Sequence, residues 1–132
     1  MKFVLLIGRI LFSWIFLNTI IGHFAPGTIA YASSAGVPYA SFLVPFSGVL
    51  SFLGALSIVL GYKAKIGAWL IVLFLVPVTL VMHNFWSITD PMAHQMQMVM
   101  FMKNLSMLGG ALMIAYWGSG PLSLDNKVKG KE

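Results

Sequence analysis

The chain has 132 residues, of which 59% are hydrophobic and only 8% are charged, and its net charge is +5. A soluble domain carries about 25% charged residues because its surface faces water, so this composition predicts a protein whose surface faces lipid. The lysines and arginines form no continuous basic stripe, which argues against nucleic-acid binding, and the absence of cysteine excludes disulfides and thiolate chemistry.

The first apolar segment, Phe3–Gly22, directly follows Lys2. Its length matches the run of about 20 residues that a helix needs to cross the hydrocarbon of a bilayer. A signal peptide cleaved after Ala32 is an alternative, but signal sequences have apolar runs of about 7–15 residues. Because this run is longer and contains Arg9, we expect a transmembrane helix that is retained.

Three further apolar segments follow: Phe42–Gly61, Ile66–Trp86 and Gln97–Gly118. Each is about twice as long as a strand of a membrane β-barrel and lacks strict alternation, so each predicts a helix. The stretches between them contain proline, glycine and polar residues. The sequence therefore predicts an all-α integral membrane protein, with a four-helix transmembrane bundle over residues 1–125 and a loosely ordered basic tail over residues 126–132.

The lysines near the ends of the spans predict the orientation of the bundle. If the N-terminus is cytoplasmic, six lysines fall on the cytoplasmic side, and the two loops on the other side contain neither lysine nor arginine. Positive charge gathers on the cytoplasmic side of membrane proteins, so we expect both ends of the chain there (N-in/C-in). The six residues are Lys2, Lys63, Lys65, Lys127, Lys129 and Lys131.

Small residues in the second span predict where the helices approach one another. Three of them recur at four-residue spacing, and two glycines lie beside them, which is typical of close helix contacts in membranes. In the third span Pro77 cannot donate to the carbonyl of Leu73 and should bend the helix. The small residues of the second span are Ser47, Gly48, Ser51, Gly54 and Ala55.

Arg9 lies about 10 Å into the first span, at about 1.5 Å per residue. A charged group at that depth is costly in lipid and usually has a partner. Asp125 follows the fourth span on the same side of the membrane. We therefore expect a structural ion pair between Arg9 and Asp125 that closes the cytoplasmic end.

A second group of polar side chains lies in the outer half of the bundle. Antiparallel helices would bring two histidines and a lysine to a similar depth, with amide and aromatic side chains beside them. One interpretation is internal hydrogen bonding alone. The other is a ligand pocket, in which these donors bind the carbonyls of a quinone or another lipid-soluble compound. The candidate residues are His23, His83, Asn84, Trp86, Lys103 and Asn104.

Other kinds of site have weaker support. Nine methionines include a cluster near His94 that could suggest Cu(I). Met96, Met98, Met100 and Met102 are spaced by two, however, and therefore spread around a helix, so we expect packing and no metal site. The sequence shows no nucleophile with a base and an orienting group, so we assign no catalytic residues.

The chain resembles the DoxX family of small bacterial membrane proteins. The resemblance covers nearly the whole chain, and it rests on the order and spacing of short motifs rather than on a single one. These motifs are Gly8-Arg9, Gly22-His23-Phe24, Gly36-Val37-Pro38, Gly61, His83-Asn84-Phe85-Trp86, Phe101-Met102-Lys103-Asn104, Gly109-Gly110 and Gly118–Asp125 with its Ser123-Leu124-Asp125 ending.

This resemblance implies a four-helix bundle in the bacterial inner membrane and a loose link to redox chemistry, because the family takes its name from a subunit of a thiosulfate:quinone oxidoreductase. Many relatives carry a glutamate early in the second span, where this chain has Ser51. We expect a subunit or scaffold of a membrane redox system, with a protein partner or a second copy of the chain. A non-redox permease and a purely structural membrane protein are the alternatives.

Overall fold

A computed structural model describes residues 1–129, and these residues form helices and contain no β-strand. The predicted all-α fold is confirmed. The last three residues of the predicted tail, Gly130, Lys131 and Glu132, lie outside the described residues. The helices are α1 (Lys2–Thr19), α2 (Pro26–Ser34), α3 (Ala40–Leu60), α4 (Ala64–Met82), α5 (Pro91–Trp117) and α6 (Leu124–Lys129), with short 3-10 helices at Ile21–Phe24 and Phe85–Ser87.

Four of these helices are long and apolar enough to cross a bilayer: α1 with the 3-10 helix after it, α3, α4 and α5. The chain is therefore a multi-pass membrane protein. Contacts described below place the start of α1, the turn between α3 and α4, and the segment after α5 at one end of the bundle, which we call the basic end. Its cytoplasmic location stays a prediction from the lysines.

The middle of the bundle is a packed apolar core. α3 packs between α1 and α4, and α4 packs against α5. α5 meets α1 where Gly110 lies against the ring of Phe12. The buried side chains of the core are Phe16, Ala55, Ile58, Ala68, Ile71, Phe74, Leu75 and Ala111.

Glycines allow α3 and α4 to approach closely. A Cβ atom on Gly54 would come within 2.8 Å of the Gly67 carbonyl oxygen, and one on Gly67 would come within 2.6 Å of Ser57. Small residues permit such backbone contact in membranes, where packing rather than water exclusion drives helix association. The predicted role of the small residues in this span is confirmed for Gly54. Ser51 and Ala55 of the same helix are buried.

Two helical segments differ from the sequence prediction. The connection after the first span contains α2, which begins with Pro26 at its first turn, a position where proline's missing N–H costs nothing. α5 begins six residues before the predicted Gln97, at Pro91. Asp90 sets this start, because its carboxylate accepts a hydrogen bond from the Ala93 N–H at 2.8 Å.

Asp125 ties the end of the chain to the turn between α3 and α4. Its carboxylate accepts hydrogen bonds from the backbone N–H groups of Lys63, at 2.8 Å, and Ala64, at 3.2 Å, and from the Ser119 hydroxyl at 3.2 Å. Its own N–H donates to the carbonyl of Gly61 at 2.8 Å. Asp125 thus caps the N-terminus of α4 from a distant part of the sequence.

Arg9 reaches the same cluster from α1. It is 4% exposed, and its Nη2 donates to the Leu122 carbonyl at 2.6 Å, while its Nη1 lies against Gly61. Asp125 lies close enough for the two opposite charges to attract one another. The hydrogen bond from Arg9 goes to the backbone carbonyl of Leu122. A direct ion pair between Arg9 and Asp125 therefore stays a prediction.

A short helix follows the fourth span, where the sequence predicts a loosely ordered tail from residue 126. Residues Leu124–Lys129 form α6. The helix is started by Ser123, whose hydroxyl oxygen accepts from the Asn126 N–H at 3.2 Å and donates to the Gly120 carbonyl at 2.6 Å. The sequence analysis did not include this helix because hydropathy carries no signal for a short capped helix.

We predict that Gly67→Ala destabilises the protein by about 1–3 kcal/mol, because the new methyl group would force α3 and α4 apart. Gly109→Ala is the matched control, since a Cβ there meets nothing within 4 Å, and alanine favours helix by about 1 kcal/mol. Thermal unfolding in detergent, followed by circular dichroism, measures both. Equal melting temperatures for the two variants would contradict the close contact.

We also predict that Asp125→Ala costs about 3 kcal/mol, because it leaves the N-terminus of α4 uncapped and the Ser119 hydroxyl without its acceptor. Asp90→Ala removes a single local cap and should cost about 1 kcal/mol. The same unfolding measurement compares them. A smaller loss for Asp125→Ala than for Asp90→Ala would show that the long-range cap is unimportant.

Candidate functional site

A cavity of about 520 Å³ lies between α3 and α4 at the end opposite the basic end. Its size falls within the range of about 300–1,000 Å³ that is typical of small-molecule sites. α2 covers part of it. Apolar side chains form most of the wall, and they include Val44, Phe46, Leu50, Phe74, Val78 and Val81.

Local sequence explains why the helices leave space here. Pro77 lines the cavity and lies inside α4, where it cannot donate to the Leu73 carbonyl, and Leu73 also lines the cavity. Where α3 and α4 come closest, at Gly54 and Gly67, both residues are glycine. The cavity therefore lies beyond the glycine contact, where larger side chains and a proline replace the small residues.

His23 contributes the first polar group to the cavity wall. Its Nδ1 lies 2.9 Å from the Thr19 carbonyl oxygen, which can only accept, so Nδ1 carries the proton and Nε2 of the neutral ring is an acceptor. The ring packs edge-on against Phe74 at 5.7 Å. Gly48 makes room for this, since a Cβ there would come within 2.5 Å of the His23 Cβ.

His83 contributes the second polar group to the cavity wall. Its Nδ1 lies 2.7 Å from the Gln97 side-chain oxygen, so Nδ1 donates here too. The Gln97 amide in turn donates to the Tyr31 hydroxyl at 3.4 Å. This chain of hydrogen bonds joins α2, the end of α4 and α5. Sequence reasoning placed Gln97 only at the start of a span, although a polar side chain there was a signal for a helix contact.

The other predicted site residues near His83 lie outside the cavity wall. Asn84 precedes a 3-10 helix, and its carbonyl accepts from the Ser87 hydroxyl at 2.9 Å. Trp86 is exposed, and its ring packs against Phe85 at 5.4 Å and Phe101 at 5.8 Å. An exposed tryptophan near the end of a span is typical of the membrane interface.

Lys103 and Asn104 are on α5 and do not line the cavity either. Lys103 is exposed on the surface of the bundle, with its Nζ 3.3 Å from the Met100 sulfur. Asn104 is buried at 4% exposure. Of the six predicted residues, the structure therefore brings only His23 and His83 to a common cavity.

This arrangement favours binding over chemistry. The apolar wall can hold an acyl chain or a similar apolar group, while two imidazoles can hydrogen-bond a polar atom at its edge. Within residues 1–129 no three histidine or carboxylate side chains come together as metal ligands would. In this part of the chain His23 hydrogen-bonds a backbone carbonyl and His83 an amide oxygen, and neither hydrogen bond makes a nucleophile–base pair.

Comparison with known proteins identifies the family. The SURF4 family model matches residues 1–131. The chain belongs to the SURF4 family. The resemblance to DoxX proteins is therefore wrong as a family assignment, and the redox link and the glutamate comparison at Ser51 that it implied have no support. Ser51 is buried and donates to the Gly48 carbonyl at 3.0 Å, so it has its own partner.

Two bacterial relatives match the chain over most of their length. It is 32% identical to inner membrane protein YphA of Escherichia coli over 101 residues, which cover 76% of this chain and 71% of YphA. It is 30% identical to inner membrane protein YqjF of the same organism over 128 residues, or 96% of this chain and 92% of YqjF.

Two larger relatives are eukaryotic. The chain is 30% identical to the Surfeit locus protein 4 homolog of Schizosaccharomyces pombe over 94% of its length, but this is 37% of that protein. It is 31% identical to the ER-derived vesicles protein ERV29 of Saccharomyces cerevisiae over 64% of its length, or 27% of ERV29. No solved structure matches significantly.

The hydrogen bond between His83 and Gln97 predicts a measurable coupling. His83→Ala and Gln97→Ala should each destabilise the protein, and the double variant should lose less than the sum, with a coupling of about 0.5–1.5 kcal/mol. Unfolding of the unmodified protein, the two single variants and the double variant in detergent measures this coupling as a double-mutant cycle. Strict additivity would mean that the two side chains do not interact in the membrane protein.

Proposed function

We propose that this SURF4-family chain is a non-redox membrane protein that binds a lipid-like molecule in the cavity between α3 and α4. The supporting observation is the cavity itself, which is of ligand size, has an apolar wall and carries two histidines. Its ligand would place an apolar chain along Val78 and Val81 and a hydrogen-bonding group beside His23 or His83.

The family supports a function other than respiration. Its relatives include both inner membrane proteins of a bacterium and a protein of ER-derived vesicles. A membrane domain that serves such different membranes does not depend on a respiratory partner. We further propose a location in a bacterial inner membrane, as for YphA and YqjF, with the basic end in the cytoplasm.

A permease function receives less support from the geometry. The cavity occupies one end of the bundle, while Ile58, Ile71 and Leu75 fill the middle and are almost completely buried. At the basic end, Arg9 and Asp125 join the elements to one another. A solute would have to displace this packed core to cross, which a pure binding function does not require.

A protein partner or a second copy of the chain is also part of the proposal. α5 offers the surface, because Asn104 and Ala111 are the residues of this 27-residue helix that are buried. Exposed apolar side chains on this helix, among them Met96, Val99, Met102, Leu112 and Met113, are available to lipid or to another transmembrane helix.

Filling the cavity tests the proposed function. We predict that Val81→Phe, which adds a ring inside the cavity, lowers the amount of co-purified lipid-like ligand by about tenfold, equivalent to about 1.4 kcal/mol of binding. Leu80→Phe is the control, because Leu80 is on the same helix but 53% exposed on the outside. Mass spectrometry of gently purified protein measures the bound molecules.

Circular dichroism and melting temperature must first show that both variants fold. Equal ligand content in Val81→Phe and Leu80→Phe would overturn the cavity as a binding site. If the molecule lost from Val81→Phe is a quinone, the non-redox part of the proposal is wrong, whereas a phospholipid or another non-redox lipid supports it.

A further inference from the structure

A second concave site lies at the basic end of the bundle, opposite the end that holds the cavity. It is a crevice of about 820 Å³ between the turn that joins α3 to α4 and the segment that follows α5. Polar and aromatic groups line much of it. They include Tyr62, Lys63, Lys65, Trp117, Ser119 and Asn126.

The two walls of this crevice are fixed relative to each other. Asp125 on one wall accepts hydrogen bonds from the backbone of Lys63 and Ala64 on the other, and its N–H donates to Gly61. Lys63 has a φ of 49°, a left-handed conformation that is unusual for a residue with a side chain. The hydrogen bond from its N–H to Asp125 helps to hold it there.

Positive side chains outnumber negative ones in the crevice. Lys63 and Lys65 both line it and both are exposed. Asp125 is the carboxylate among the lining residues, and its oxygens accept from backbone N–H groups and a hydroxyl. The start of α4 is thus already capped, so an anion in the crevice would have to be held by the lysine side chains.

The position of the crevice fits the headgroup layer of a membrane. Tyr62 and Trp117 line it and are exposed, and such amphipathic rings settle at the interface between lipid and water. The stem of Lys65 lies along Gly118, with its Cε 3.3 Å from where a Cβ of that glycine would be. Ile66, exposed on the first turn of α4, continues the surface toward the hydrocarbon.

We propose that this crevice binds the headgroup of an anionic phospholipid. Lys63 and Lys65 would hold the phosphate, Tyr62 and Trp117 would flank the glycerol region, and an acyl chain would run along Ile66. Basic pockets beside transmembrane helices bind anionic headgroups in this way. The proposal is independent of the ligand in the cavity between α3 and α4.

Native mass spectrometry can test it with two probes, phosphatidylglycerol and phosphatidylcholine, added to the full chain in detergent. We expect a preference for phosphatidylglycerol that falls by about 30-fold in the Lys63→Gln/Lys65→Gln variant, since each lysine near an anionic lipid contributes about fivefold. Lys2→Gln is the matched control, because Lys2 is exposed at the same end but does not line the crevice.

A second variant separates binding from folding. Lys63→Arg/Lys65→Arg keeps both charges and should retain the preference even if the glutamine variant melts at a lower temperature. Equal binding of the two lipids, or an equal loss in Lys2→Gln, would overturn the proposal. Displacement of phosphatidylglycerol by millimolar inorganic phosphate would also overturn it, because the site would then take a soluble anion rather than a lipid.

Discussion

The carboxylate of Asp125, at the start of α6, binds the backbone at the first turn of α4, and the order of the basic end depends on this contact. Backbone N–H groups at a helix start have no partner within the helix, and near a membrane water satisfies them less readily. Asp125 supplies the missing acceptor for Lys63 and Ala64. The chain after α5 is thereby held against α3 and α4, and Arg9 adds α1 through the Leu122 carbonyl.

Away from this end, side-chain size determines where α3 and α4 touch and where they leave a cavity. Gly54 and Gly67 bring α3 and α4 into backbone contact. Farther along, Pro77 and larger residues line a cavity between the same two helices, and α2 covers it. One helix pair thus provides both a rigid contact and a site of ligand size. This division would let a chain with so few polar residues take up the proposed ligand without losing its core.

The family assignment shows what short motifs can and cannot distinguish. The motifs that suggested DoxX proteins contain glycines, aromatic residues and charged residues near the ends of spans. The structure gives several of them roles in the fold: Gly61 lies beside Arg9, Gly110 beside Phe12, and Ser123 starts α6. Residues that any small bundle of this design needs do not identify a redox function. The match of the SURF4 family model over residues 1–131 is what distinguished the SURF4 family from the DoxX family.

The sequence by itself determined the four apolar helices, because lipid thickness sets how many apolar residues a span requires and hydropathy is read along the chain. It also predicts that six of the seven lysines lie on one side of the membrane. Only the tertiary structure decided which polar groups meet. Arg9 and Leu122 are 113 residues apart and Asp125 and Lys63 are 62 apart. His23 and His83 share a cavity that Lys103 does not line. Those outcomes depend on helix rotation and on small residues that set helix distance, which a one-dimensional pattern does not specify.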